Sequence, residues 1–385
     1  QAADVAAYLA TLKEGAAATV ALPADAKAAA EGAALIEKLH LAFWTEPLTK
    51  SRKHTDAGLL EHLQQPARHH ADTIFPDVRL TRAEAAAIAA SIRSRQPGRA
   101  PASAGGNATA GKAIVAASCN ACHSPADAPA MVRTLEDIAR ADWTVKGCVA
   151  ENRGRAPDLR LSSADKTALI AFRNADRDVG LQSLRRFVPA EYAATQIKAL
   201  NCVQCHSGGG ENKLPDIALA GEKFDRAWLE ALLAGKHPTK SRAWLEARMP
   251  AFASRAANLS LGLAARHGVA SSTPAPIANP ALAALGAKLT GAEGYSCIAC
   301  HDAGARKALQ VFEGQGPNLQ LAGERLRYDY FQRWMHWPQR IAPATIMPRY
   351  TKDRDKAVLD TQLDGNAEKQ FEAMWQWMRG LKASP

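Results

Sequence analysis

The chain of 385 residues is 47% apolar and 22% charged, with 26 Gly and 21 Pro, which excludes disordered and collagen-like chains and fits two to four domains. Its 48 basic and 38 acidic residues give a formal charge of +10. The basic residues are scattered, and the tight clusters at 50–54 and 93–99 lack interleaved aromatics, so a nucleic-acid groove is not expected.

In chain order, residues 1–22 are an orphan helix and linker, the first twelve positions resembling the closing helix of a module whose beginning is missing. Residues 23–95 hold two Ala-rich helical segments around a loop region. Turn-forming stretches at 94–108 and 269–280, and a shorter join near 180–189, set off three further modules at 105–178, 186–268 and 280–385. The last ends in a helix with Phe371, Met374, Trp375 and Met378 at helical spacing. No apolar run reaches the roughly 18 residues of a membrane-spanning helix. The chain opens at Gln1 with no leader pattern, so any signal peptide is expected to have been removed, or the chain to be a fragment.

Six of the seven cysteines fall into three like motifs: Cys119-Asn-Ala-Cys122-His123, Cys202-Val-Gln-Cys205-His206 and Cys297-Ile-Ala-Cys300-His301. Two thiols about one helical turn apart can each add to a vinyl group of haem, and the next residue then carries an imidazole under the iron. A lone Cys-x-x-Cys reads equally as a zinc knuckle or a redox dithiol. Three copies, each followed by His and each in its own module, favour three covalently bound haem c groups with His123, His206 and His301 as proximal ligands.

The second and third modules align further. Pro215-Asp-Ile-Ala-Leu-Ala-Gly-Glu222 answers Pro317-Asn-Leu-Gln-Leu-Ala-Gly-Glu324, and Met249-Pro250 answers Met347-Pro348. With the haem motifs, this pattern resembles the class I cytochrome c family in tandem over nearly the whole chain. The resemblance implies an all-α fold of helical domains with long haem-enclosing loops. It also implies Met249 and Met347 as sixth ligands, and proline carbonyls at Pro215 and Pro317 orienting the proximal histidines. Covalent haem attachment of this kind implies a periplasmic or otherwise extracytoplasmic protein.

Two modules depart from the pattern. In 105–178 the residue before Pro157 is Ala156, so the methionine is absent, and Cys148, Met131 and an open or water-bound iron compete for the sixth position. In 23–95 the interval from Gly32 to His40 matches that from Gly111 to Cys119. His40 and Phe43 then stand for the cysteines, Trp44 for the histidine, and Phe75-Pro76 for Met-Pro, which describes a degenerate, haemless cytochrome-like module whose pocket is filled by Phe43, Trp44 and Phe75. His54, His62, His69 and His70 are read there as solvated side chains rather than metal ligands.

Haem propionates lower the formal charge to about +4, a balance suited to steering an acidic redox partner. The expected function is single-electron relay between redox partner proteins, as a subunit of a respiratory or dehydrogenase complex at a membrane, with no transmembrane segment in this chain. A thiolate at the first haem would make it the low-potential site. The alternative is an enzyme using the Cys119/Cys122 haem for peroxide or thiosulfate-type chemistry, with Arg153, Arg155 and Asp158 in the relevant loop. The haemless module is an expected docking surface for a larger complex.

Overall fold

The computed structural model describes residues 1–12, 20–23, 25–50, 54–69, 71–97, 105–119, 137, 140–154, 156, 158–175, 186–206, 216–237, 248–269, 276–309, 315–353 and 355–381. Among them the chain is helical, and strand pairing is limited to isolated bridges. None of the described helices is long and apolar enough to cross a membrane. The organising helices are α1 (Ala2–Leu9), α2 (Ala26–Lys38), α3 (Arg82–Arg95), α4 (Ala108–Ser118), α5 (Ser163–Asn174), α6 (Pro189–Ala199), α7 (Ala256–Ala265), α8 (Pro280–Thr290) and α9 (Ala367–Gly380). They fall into two compact units, Gln1–Ala21 with Gln96–Phe187 and Leu22–Arg95 with Val188–Pro385.

Local sequence sets the helix starts. Asp25, Asn107, Asn279 and Asn366 each accept a backbone N–H of the first turn, and Pro280 at the first position of α8 needs no partner for a missing N–H. Thr81 and Glu84 form a reciprocal box at α3, with N···O distances of 2.8 and 3.2 Å, and Ser162 with Asp165 does the same at α5.

In the larger unit one motif recurs. Helix α2 packs on α3, α6 on α7, and α8 on α9. Glycine makes each crossing close: a side chain at Gly32 would collide with the Ala87 carbonyl, at Gly286 with the Ala373 carbonyl, and at Gly262 with the Pro189 carbonyl. Around these crossings lie fully buried Ile88 and Ile92 in the first pair, with Leu59 and Leu63 of the helix Asp56–Gln64 packed beside it, Leu200 beside the second, and Leu289, Phe371 and Met374 in the third. Gly221 and Gly323, matched in the sequence, both press against a closing helix, at Leu263 and at Arg379 respectively.

In the smaller unit the helix read as an orphan has a partner. Helix α1 packs on α4, because Ala3, Asp4 and Ala7 present a small-residue face whose carbonyls and methyls meet Gly106 and Gly111 with no room for a Cβ. Tyr8 and Val115 are buried beside this contact. Helix α5, which follows the Cys119–His123 motif as closing helices follow the other two, buries none of its residues.

Candidate functional site

The third motif is built from the end of α8. Ser296 takes a left-handed φ of 55°, its N–H donating to the Gly291 carbonyl at 3.0 Å, and this sharp reversal starts a one-turn helix at Cys297–Ala299. Within it the Cys300 and His301 N–H groups both donate to the Cys297 carbonyl, at 3.2 and 3.0 Å. Cys297, Cys300 and His301 therefore share one turn. Cys297 is buried, and burial pushes its thiol up to about 12.

His301 is held from two sides. Its Nδ1 lies 2.7 Å from the Pro317 carbonyl oxygen. A carbonyl can only accept, so Nδ1 carries the proton and Nε2 presents a lone pair, the tautomer a metal-ligating histidine needs. Gly316 lies flat against the imidazole, where any Cβ would collide with the ring, and its N–H donates to the Cys300 carbonyl at 2.8 Å. The loop is braced by Asp302, which accepts from the Ala308 N–H at 2.9 Å and Lys307 at 3.1 Å. The Ala308 N–H, with Lys307 beside it, holds the Asp302 carboxyl below the usual carboxylate range.

Met347, partly buried, packs against the apolar cluster that takes in Cys297, Phe331, Met335, Phe371 and Trp375. The Trp334 indole N–H donates to its sulfur at 3.0 Å, Gln339 donates to its carbonyl at 2.6 Å, and its own N–H donates to Thr345 Oγ1 at 3.3 Å. Tyr295 and Tyr350 stack edge-on at 4.9 Å beside the motif, and burial pushes the Tyr295 hydroxyl up to about 12. Neither Trp334, Gln339 nor Gly316 stands out in the sequence, since each acts through a contact distant in the chain.

The second motif repeats the first step of this design. Asn201 has φ 49°, Cys202–Gln204 forms the single turn, and the His206 N–H donates to the Cys202 carbonyl at 3.0 Å. Burial pushes Cys202 up to about 11 and raises Cys205 as well. Pro215 lies outside the described residues. Met249 is half-buried, its carbonyl accepting from Arg79 at 3.1 Å.

At the first motif Cys119 caps the end of α4, its N–H donating to the Val115 carbonyl. Cys122, His123 and Met131, together with Arg155 and Pro157, lie outside the described residues. Cys148 is half-buried in a turn region closed by Gly147 N–H donating to the Asn152 carbonyl at 3.1 Å, and Arg153 pairs with Asp158 at 2.7 Å.

The backbone shifts the register read for the 23–95 module. His40 has φ 54°, matching Asn201 and Ser296, the residues just before the first cysteine. Trp44 and Thr45 N–H groups donate to the Leu41 carbonyl at 3.1 and 3.0 Å, as Cys300 and His301 do to Cys297. Leu41, Trp44 and Thr45, not His40, Phe43 and Trp44, thus stand at the positions of the cysteines and histidine. All three are buried, whereas Phe43 is 45% exposed. Phe75 makes the same local contact as Met347: its N–H donates to Thr73 Oγ1 at 3.0 Å, as the Met347 N–H does to Thr345 Oγ1. His54 and His62 stack at 5.1 Å, and His62 packs on Phe75 at 4.6 Å.

Among the described residues no group of three or more His, Cys, Asp or Glu converges to hold a metal ion, so the described Cys and His of the second and third motifs do not form the three- or four-ligand cage zinc requires. A thioether-linked haem asks for something else: two separate thiols, one oriented imidazole and one opposing sulfur. His301 with its Pro317 carbonyl and Gly316 cradle, and the buried thiol of Cys297, fit that request. Comparison of the chain with protein family models, with characterised proteins and with solved structures finds no match in any of the three.

Proposed function

We propose that the chain is an electron carrier of the class I cytochrome c type, built of tandem modules, with haem c attached at Cys119/Cys122, Cys202/Cys205 and Cys297/Cys300. On this reading it works outside the cytoplasm and relays single electrons between redox partner proteins. The observation that carries it is the His301 imidazole, fixed by the Pro317 carbonyl over Gly316 and directly following a pair of thiols on one turn. When bound, such a haem takes up and gives back one electron at its iron with no bond made or broken.

The chain's own residues do the rest. Burial raises the Cys202, Cys205 and Cys297 thiols, which makes them poor thiolates for exchange chemistry or zinc; conversion to thioethers removes the ionisable group. His123, His206 and His301 would bind the irons, Met249 and Met347 would supply the second ligand in their own modules, and in the first module Cys148 would compete with Met131 and with an open position. A closed pair of axial ligands suits relay rather than substrate binding. The 23–95 module lacks the thiols and fills their positions with Leu41 and Trp44, so it carries no haem.

Mass spectrometry of the native protein tests this directly. Three haem adducts on the three thiol pairs are expected; a bare polypeptide, or zinc in place of iron, sinks the reading. Cys148→Ala should alter the absorption and paramagnetic resonance spectra of one haem only, and unchanged spectra would remove Cys148 from the ligand set.

A further inference from the structure

Residues 72–84 of the 23–95 module hold the segment 248–255, which carries Met249. Asp77 and Ala251 form an antiparallel bridge, Asp77 N–H donating to the Ala251 carbonyl at 3.2 Å and Ala251 N–H to the Asp77 carbonyl at 2.8 Å. These are matching positions: Asp77 follows Phe75-Pro76 as Ala251 follows Met249-Pro250. The degenerate loop is thus paired, residue for residue, with the intact one.

Side chains complete the hold. Both oxygens of Glu84 receive the Arg248 guanidinium, at 2.6 and 3.0 Å, a fork geometry worth more than a single surface contact because the two side chains are only 20% and 27% exposed. Arg79 donates to the Met249 carbonyl at 3.1 Å, and Arg255 donates to the carbonyls of Thr73 and Asp72 at 3.0 and 2.7 Å. Arg79 itself stands at φ 53°, a conformation costly for a residue with a Cβ and kept only where the surroundings enforce it. Its N–H donates to Asp77 Oδ1 at 2.8 Å, which locks that turn. Residues 248, 249 and 251 are each hydrogen-bonded to the haemless module.

We propose that the haemless module is a positioning element for Met249: through Asp77, Arg79 and Glu84 it fixes the main chain on both sides of the thioether and so keeps the sulfur on the second haem's iron. The proposal rests on the haem reading above. A thioether is a neutral ligand that outside bases displace easily, so its retention depends on how far the loop is organised beforehand. Met347 is held from within its own module by Trp334, Gln339 and Thr345, and serves as an internal control.

The test uses the ferric holoprotein titrated with imidazole, following the absorption band of thioether-ligated haem in wild type, Glu84→Gln, Arg79→Ala, the double variant and Met249→Ala. Glutamine at 84 still accepts from the Thr81 N–H, so the cap of α3 survives in that single variant. Imidazole should displace the sulfur at one haem about tenfold more readily in the variants, the loss of one charge-assisted hydrogen bond, with the other haem unchanged. Met249→Ala should abolish the band of that same haem. Wild-type imidazole affinity in all the Glu84 and Arg79 variants, with the band lost in Met249→Ala, overturns the positioning role and leaves the haem reading standing. Equal loosening at both thioether-ligated haems overturns it too, since that marks general destabilisation. A Met249→Ala spectrum identical to wild type overturns the proposal together with the ligand assignment beneath it.

Discussion

Phe224 and Leu326 face one another across an antiparallel bridge, with Asp225 N–H donating to the Arg325 carbonyl at 2.8 Å and Arg327 N–H to the Lys223 carbonyl at 3.0 Å. The two segments are matching stretches, Gly221-Glu-Lys-Phe224 and Gly323-Glu-Arg-Leu326, so the two hydrogen bonds exchange with each other under a local two-fold relation. The Asp77–Ala251 bridge repeats the arrangement at a different loop. Within the larger unit, modules therefore join through equivalent residues, once beside the Met249 loop and once beside the short helices that follow the Cys-x-x-Cys-His motifs.

Lys223 supports the Phe224–Leu326 joint. Its Nζ lies 5.5 Å from the Phe224 ring centroid, 5.8 Å from Tyr330 and 6.0 Å from Trp334. Lys223→Met keeps the apolar stem and removes the charge, and is expected to destabilise the larger unit by about 1 kcal/mol. Urea unfolding of the wild type and variant checks this, and an unchanged midpoint would assign the joint to backbone pairing and packing alone.

Glu84 makes the second joint sensitive to acid. The Arg248 fork, helped by the Thr81 N–H, pushes its carboxyl down to about 2 from 4.5. A lowered folded pKa favours the ionised form, so the contribution is complete above about pH 4.5 and fades as the pH falls toward 2. Glu84→Gln should cost about 2–3 kcal/mol at neutral pH and converge with the wild type near pH 2. A constant difference across that range in denaturant melts would contradict the assignment.

What the sequence revealed and what it hid divide along the reach of each interaction. The turn that gathers Cys297, Cys300 and His301 is set by adjacent residues and is legible, the match of Phe75 to Met347 follows from their repeated Thr-Ile-x-Pro segments, and the Pro317 carbonyl on His301 is what the resemblance implies. The register at His40 was not legible. It was inferred from the interval after Gly32, whereas the residue that fixes it is the left-handed His40 itself, and a left-handed turn leaves no mark on spacing. The pairing of α1 with α4 and of Arg248 with Glu84 likewise joins residues distant in the chain, with nothing local to announce it. The joining of 22–95 with 188–385 in one unit is hidden for the same reason: its joints are backbone bridges and side-chain contacts between loops distant in the chain.

Helix α1 gives a prediction confined to the smaller unit. Gly111 admits no Cβ because of the Asp4 carbonyl and the Tyr8 side chain. Gly111→Val should release α1 from α4, expose Tyr8 and Val115, and destabilise this unit by about 2–4 kcal/mol. Limited proteolysis should then cut within residues 1–12 while the larger unit resists as before. Protection of α1 in the variant would show that the close approach does not hold it.

On the proposed haem reading, Trp334 bears on the potential of the group held at Cys297/Cys300. Its indole N–H donates to the Met347 sulfur at 3.0 Å, drawing density from the lone pairs that would otherwise support ferric iron. Trp334→Phe keeps the ring and removes the donor, so ferric iron gains and the reduction potential falls. A weak hydrogen bond of about 0.5–1 kcal/mol corresponds to a drop of about 20–40 mV for a one-electron couple. Spectroelectrochemical titration of the holoprotein reads the midpoints, and the shift should fall on a single haem, the one whose thioether band disappears in Met347→Ala. A rise in that midpoint would mean that the indole supports the sulfur by packing and not by its N–H.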